Sequence, residues 1–107
     1  MKKKLSQLPK YVYPAGVAYK VMHVSLEEKD HGECCSRTRE IKINKDIKVT
    51  PSLDSVLFHE YLHALFGCTG LSELLENYND NLEEALVMCL EAHLFRHINI
   101  KSLGSRE

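Results

Sequence analysis

Residues 59–63 read His59-Glu60-Tyr61-Leu62-His63, an H-E-x-x-H run inside a stretch with helical apolar spacing. Side chains four apart share one face of a helix, so the two imidazoles converge on one point only if this segment is helical. A chain carrying a working form of this run is therefore committed to a helix across it. Glu60 then projects beside that point, where a carboxylate can take a proton from a metal-activated water. Three fixed positions recur by chance in roughly a few chains of this size per thousand, so the setting has to carry the rest. Leu57, Phe58, Leu62, Leu65 and Phe66 supply a buried setting. The plainer alternative is two core or surface histidines flanking a solvated glutamate. It leaves three polar groups beside an apolar stripe without a reason to be there.

The boundaries of that helix are legible. Thr50 is a plausible N-cap, Pro51 fits the first helical position and Asp54 adds negative charge to the first turn. Gly67 is a natural stop. Upstream, Val17 to Leu26 is rich in strand formers with partial alternation, and Glu27 to Gly32 reads as a polar turn. A second strand, Arg39 to Asn44, puts Ile41 and Ile43 on one face and Glu40, Lys42 and Asn44 toward water. Two strands alone are marginal, so a third is sought in Tyr11–Val17 or Lys45–Val49. Downstream, residues 68–81 form a connection with one helical turn around Leu71 to Leu75. A last helix runs from Leu82 to about Ile98, and a frayed tail follows Lys101. The expectation is an α+β domain spanning 1–107: a small sheet of two to four strands packed against the 59–63 helix and a C-terminal helix.

The bulk numbers exclude several classes. A chain of 107 residues suits one domain, and 44% apolar with 27% charged residues is a globular mix. A formal net charge of −1 gives no nucleic-acid footprint, and Lys2-Lys3-Lys4 reads as a solvated terminus. No apolar run approaches the ~20 residues of a membrane span. Ser6, Gln7, Pro9 and Lys10 interrupt any signal-like apolar stretch, so no secretory signal is expected. Disulfides are not the default without one. Cys34, Cys35, Cys68 and Cys89 read as small packed hydrophobes, and none has C-x-x-C spacing. The sharper reading makes Cys34 or Cys35 an extra or inhibitory metal ligand.

Two histidines do not complete a catalytic zinc site, which takes a third protein ligand and keeps one position open. No histidine follows at the H-E-x-x-H-x-x-G-x-x-H spacing, so the third ligand is sought on the last helix at Glu83 or Glu84. If Asp80 is the N-cap, Glu83 closes a capping box and Glu84 is left for the metal. Helical periodicity argues the other way, since Glu83 lies closer to the Leu86–Leu90–His93 stripe.

Residues 56–66, V-L-F-H-E-Y-L-H-A-L-F, and 83–94, E-E-A-L-V-M-C-L-E-A-H-L, preceded by I-K-I-N at 41–44, resemble the small phage-type zinc metallopeptidases, a minimal gluzincin group. The resemblance covers about residues 18–98. In that family the ligand glutamate is followed by aliphatic residues three and six positions later. Glu84 with Val87 and Leu90 matches better than Glu83 with Leu86 and Cys89. The resemblance thus implies one zinc ion held by His59, His63 and Glu84, with Glu60 as general base in peptide-bond hydrolysis. It also implies a phage- or prophage-encoded protein acting on a peptide or protein; the interrupted signal-like stretch points to a cytoplasmic one, and a chain of 107 residues leaves specificity to a larger partner. No nucleic acid or membrane is expected. Tyr78, His93 and His97 are candidates by type for stabilising the oxyanion. The alternative function is a non-catalytic zinc-binding regulatory or structural domain. The Cys34-Cys35 pair departs from the family pattern.

Overall fold

A computed structural model of the chain describes residues 8–46 and 52–105. Its order is β1 (Tyr11–Val12), β2 (Tyr19–Val24), β3 (Gly32–Cys35), β4 (Glu40–Asn44), α1 (Leu53–Cys68), α2 (Leu71–Glu76), α3 (Leu82–Leu94) and α4 (Ile100–Leu103). The architecture is α+β, as the sequence implies. The four strands form one mixed sheet in the order β1-β2-β4-β3. β2 and β4 run parallel, with Val21 opposite Ile41, and β1 and β3 flank them antiparallel.

Alternation decides which face is buried. Tyr19 and Val21 of β2 join Ile41 and Ile43 of β4 on the inner face, all below a tenth exposed. Val56, Leu57, Phe58, Leu62, Ala64 and Phe66 of α1 and Val87 of α3 complete that core. Each of the larger apolar side chains contributes roughly 1.5–3 kcal/mol by leaving water. α1 touches β3, β4, α2 and α3, so it is buried on more than one side. The helix that carries residues 59–63 is thereby the central element of the fold.

Several expectations need correction. β3 occupies Gly32–Cys35, where the sequence showed no strand. Its Glu-Cys-Cys run lacks strand-forming residues, and pairing with β4 plus packing on α1 override that local preference. The expected strand in Tyr11–Val17 is only the two residues of β1. Of the other candidate, Lys45–Val49, residues 47–49 lie outside the described residues. Asn44 does not face water. It is buried, and its amide donates to the carbonyls of Asp30 at 2.8 Å and Glu27 at 3.2 Å and accepts from the Asp46 N–H at 2.9 Å. Asn44 thus staples the loop that leads into β3.

Ser52 is the N-cap of α1, its hydroxyl accepting from the Ser55 N–H at 3.1 Å. Thr50 and Pro51 lie outside the described residues. α1 also runs past Gly67. A Cβ there would stand 1.9 Å from Ser36 Oγ, so Gly67 allows close approach to the β3–β4 turn. The break falls instead at Gly70, whose φ of 81° starts α2. Residues after Lys101 are not frayed as far as they are described. Ile100 and Leu103 are buried, and the Tyr13 N–H donates to the Leu103 carbonyl at 3.1 Å. Cys89 is exposed rather than packed. No described helix is long and apolar enough to cross a membrane.

Candidate metal centre

α1 carries His59 and His63 one turn apart, with ring centroids 5.1 Å from each other. α3 packs against α1 and delivers a carboxylate between them. Glu84 Oε1 lies 2.9 Å from His59 Nε2, and Glu84 Oε2 lies 2.8 Å from His63 Nε2. One donor atom from each of His59, His63 and Glu84 falls within 4.8 Å of the others. This brings the three expected ligands together, Glu84 and not Glu83 among them. The capping argument behind that choice does not hold. Asn81 precedes α3 and no side-chain cap bond forms there. Glu83 is occupied elsewhere: its Oε2 stands 2.5 Å from His63 Nδ1.

Glu91 plays the matching part for the other ring, with Oε2 2.7 Å from His59 Nδ1. Its Oε1 accepts from Ser55 Oγ at 3.0 Å, which fixes the carboxylate. Each imidazole is therefore gripped from behind on Nδ1 and presents Nε2 to a common point. That is how metal-binding histidines are oriented, because an Nδ1–H···carboxylate bond sets the tautomer and raises the basicity of Nε2. Neither supporting role was read from the sequence. The only signal was spacing: Glu84, Val87 and Glu91 lie on one face of α3.

The donor chemistry fits zinc. Two imidazole nitrogens and one carboxylate oxygen are a catalytic donor set for it, and three protein ligands leave one position of a tetrahedral ion open. Charge points the same way. Glu60, Glu83, Glu84 and Glu91 surround two histidines, with no Lys or Arg pairing with any of them among the described residues. Burial lowers the His59 pKa, but the Glu91 hydrogen bond and the Glu60, Glu84 and Glu91 charges outweigh it and leave His59 raised.

Glu60 sits beside this group and is only 7% exposed. Burial pushes its carboxyl up to about 7, against the opposing pull of His59 and His63. It walls two cavities at once. One, of about 200 Å³, is lined by Cys34, Ser36, Glu60, His63, Ser72 and Glu83. The other, of about 180 Å³, is lined by His31, Ser55, Val56, His59, Glu60 and Glu91. His31 and Ser36 flank the two ends of β3, so the cavities follow that strand with Glu60 between them. Gly32 lets β3 come this close: a Cβ there would meet Glu60 Cγ at 3.1 Å and Val56 Cγ1 at 3.0 Å.

Cys34 is in the cavity wall but not in the group of converging donor atoms. Burial, with the Glu60 charge second, pushes its thiol up to about 12. It is a neutral thiol at ordinary pH. Tyr78 is 84% exposed, and His93 and His97 are exposed as well. None of the three lines either cavity, whereas His31, which the sequence did not single out, does. No family model, curated protein or solved structure matches this chain.

Proposed function

We propose that the chain is a zinc-dependent metallopeptidase of the small phage-type, gluzincin-like kind, hydrolysing peptide bonds in a cytoplasmic setting. The observation that carries the reading is the meeting of three parts at one point: two Nδ1-braced imidazoles, the Glu84 carboxylate, and a buried Glu60 beside them. His59, His63 and Glu84 would hold the zinc ion, which when bound would supply Lewis-acid polarisation and a water of pKa lowered toward ~7. Glu60 takes the proton of the attacking water and returns it to the leaving amine. β3 ends the sheet, and its outer edge has no strand partner among the described residues. An extended peptide adds there as a strand, passing from the Ser36 cavity over Glu60 to the His31 cavity. His31 is then the side chain placed to donate to the developing oxyanion.

The test compares the zinc-loaded chain with Glu60→Gln on fluorescently labelled casein. The expected result is a fall in turnover on the order of 10²–10⁴ with zinc content unchanged. Equal turnover in both would sink Glu60 as the base. Absence of turnover in the unaltered chain, with zinc bound, would leave a non-catalytic zinc-binding domain.

A further inference from the structure

The two cavities beside Glu60 differ in what their polar groups leave unused. In the His31 cavity both oxygens of Glu91 are taken, Oε1 by Ser55 and Oε2 by His59. In the Ser36 cavity Glu83 commits only Oε2, to His63 Nδ1, and its Oε1 makes no hydrogen bond or ion pair among the described residues. Glu60 walls the same space. It is 7% exposed, and its carboxylate makes no hydrogen bond among the described residues.

Four elements build the Ser36 cavity. Cys34 and Ser36 come from the end of β3, Glu60 and His63 from α1, Ser72 from α2 and Glu83 from α3. Its volume of about 200 Å³ is several times the ~30 Å³ share of one water, so it takes a side chain rather than a single solvent molecule. Apart from the neutral Cys34 thiol the wall is polar. No Lys or Arg lines it, Arg37 and Arg39 of the adjoining turn included. A carboxylate oxygen in such a space is costly without a partner. A divalent ion on His59, His63 and Glu84 leaves the surplus in place, because four carboxylates surround its two charges. An acidic side chain entering here meets like charge, and an aliphatic one strips water from Glu83 and Ser72 and returns no hydrogen bond. A cation with N–H donors does neither.

We infer that the Ser36 cavity is a side-chain subsite selective for lysine or arginine, with Glu83 as its counter-ion and Ser36 and Ser72 as its hydroxyl acceptors. His63 is in the wall, so the residue seated there is next to the bond that is cut. The His31 cavity, whose Glu91 has no oxygen to spare, makes no such demand. The selectivity is therefore one-sided: a cation is required on one flank of the cut and not on the other. Calling the cavity a subsite beside a cut bond rests on the peptidase reading; its preference for a cationic side chain does not.

The experiment has a binding arm and a cleavage arm. In the first, the zinc-loaded Glu60→Gln chain, isotopically labelled, is titrated with three peptides alike except for one central residue, Lys, Leu or Glu. The Lys peptide is expected to bind on the order of tenfold more tightly than the Leu peptide, and the Glu peptide most weakly. Shift changes should centre on Ser36 and Ser72. Ser72→Lys, added to the same chain, sets a cation of the protein's own in the cavity, and the Glu peptide should then bind best. Ser72→Leu should favour the Leu peptide. Ser72 is half-buried on α2, and circular dichroism with zinc content checks that both variants are folded and loaded. In the second arm the unaltered zinc-loaded chain cuts the Lys peptide, and every product carries the lysine on the same side of the cut. Equal binding of the three peptides, binding of none, an order unmoved by Ser72→Lys, shift changes away from the cavity, or cuts on both sides of lysine would each overturn the proposal. Lysine-selective binding without cleavage would keep the cavity's preference and remove the peptidase reading instead.

Discussion

Glu91 and Glu83 do for the two histidines what neither histidine can do alone. Each holds an Nδ1 and so turns Nε2 toward Glu84. Glu91→Gln or Glu83→Gln is expected to lower zinc affinity about 10–100-fold, read by competition with a chromogenic chelator. Unchanged affinity would remove both from the centre. Acid should act on the same bond. The metal needs a neutral His59, and its raised pKa means the proton is held to a higher pH than on an ordinary histidine. Zinc affinity is therefore expected to fall in acid from a higher pH than an ordinary histidine would give, and the fall should begin at lower pH in Glu91→Gln. His59, Glu60 and His63 were legible because their geometry is local to one helix. Glu91 and Glu83 were not, because their roles depend on how α3 is rotated against α1. Glu84 was chosen on a family pattern and its carboxylate does meet the two histidines, while the capping box invoked in its support does not form.

The pairing of α1 with β3 makes the site at the scale of elements. α1 was legible from its apolar spacing. Its true cap, Ser52, differs from the expected Thr50, because Ser52 Oγ is the oxygen that reaches Ser55 N–H. β3 was illegible because Gly32, Glu33, Cys34 and Cys35 carry no strand propensity. Tertiary contacts create it: β4 pairs along one edge, Asn44 staples the incoming loop, and α1 packs against it. Gly32 is the point where that packing is tightest. Gly32→Ala places a Cβ 3.0 Å from the Lys42 carbonyl oxygen and 3.1 Å from Glu60 Cγ. The expected cost is about 1–3 kcal/mol in chemical denaturation, with turnover falling further as Glu60 is displaced. A variant as stable as the parent would contradict the close approach.

The whole molecule divides into a sheet half that holds most of the cations and a helical half, from α1 to the end of α3, that holds none. Composition could not reveal this, because opposite surpluses cancel in the net charge. The α+β class was legible from the order of strand-like and helix-like segments, but the mixed strand order was not, since a parallel β2–β4 pair depends on β3 lying outside both. The central claim is that this architecture exists to close His59, His63 and Glu84 around one ion. X-ray absorption at the zinc edge, on protein purified without added metal and then loaded with one equivalent of zinc, tests it most directly. The account predicts a nitrogen and oxygen shell at about 2.0–2.2 Å with imidazole scattering from two histidines, altered in Glu84→Gln. A sulfur shell at about 2.3 Å from Cys34, or zinc that fails to bind at one equivalent, would contradict it.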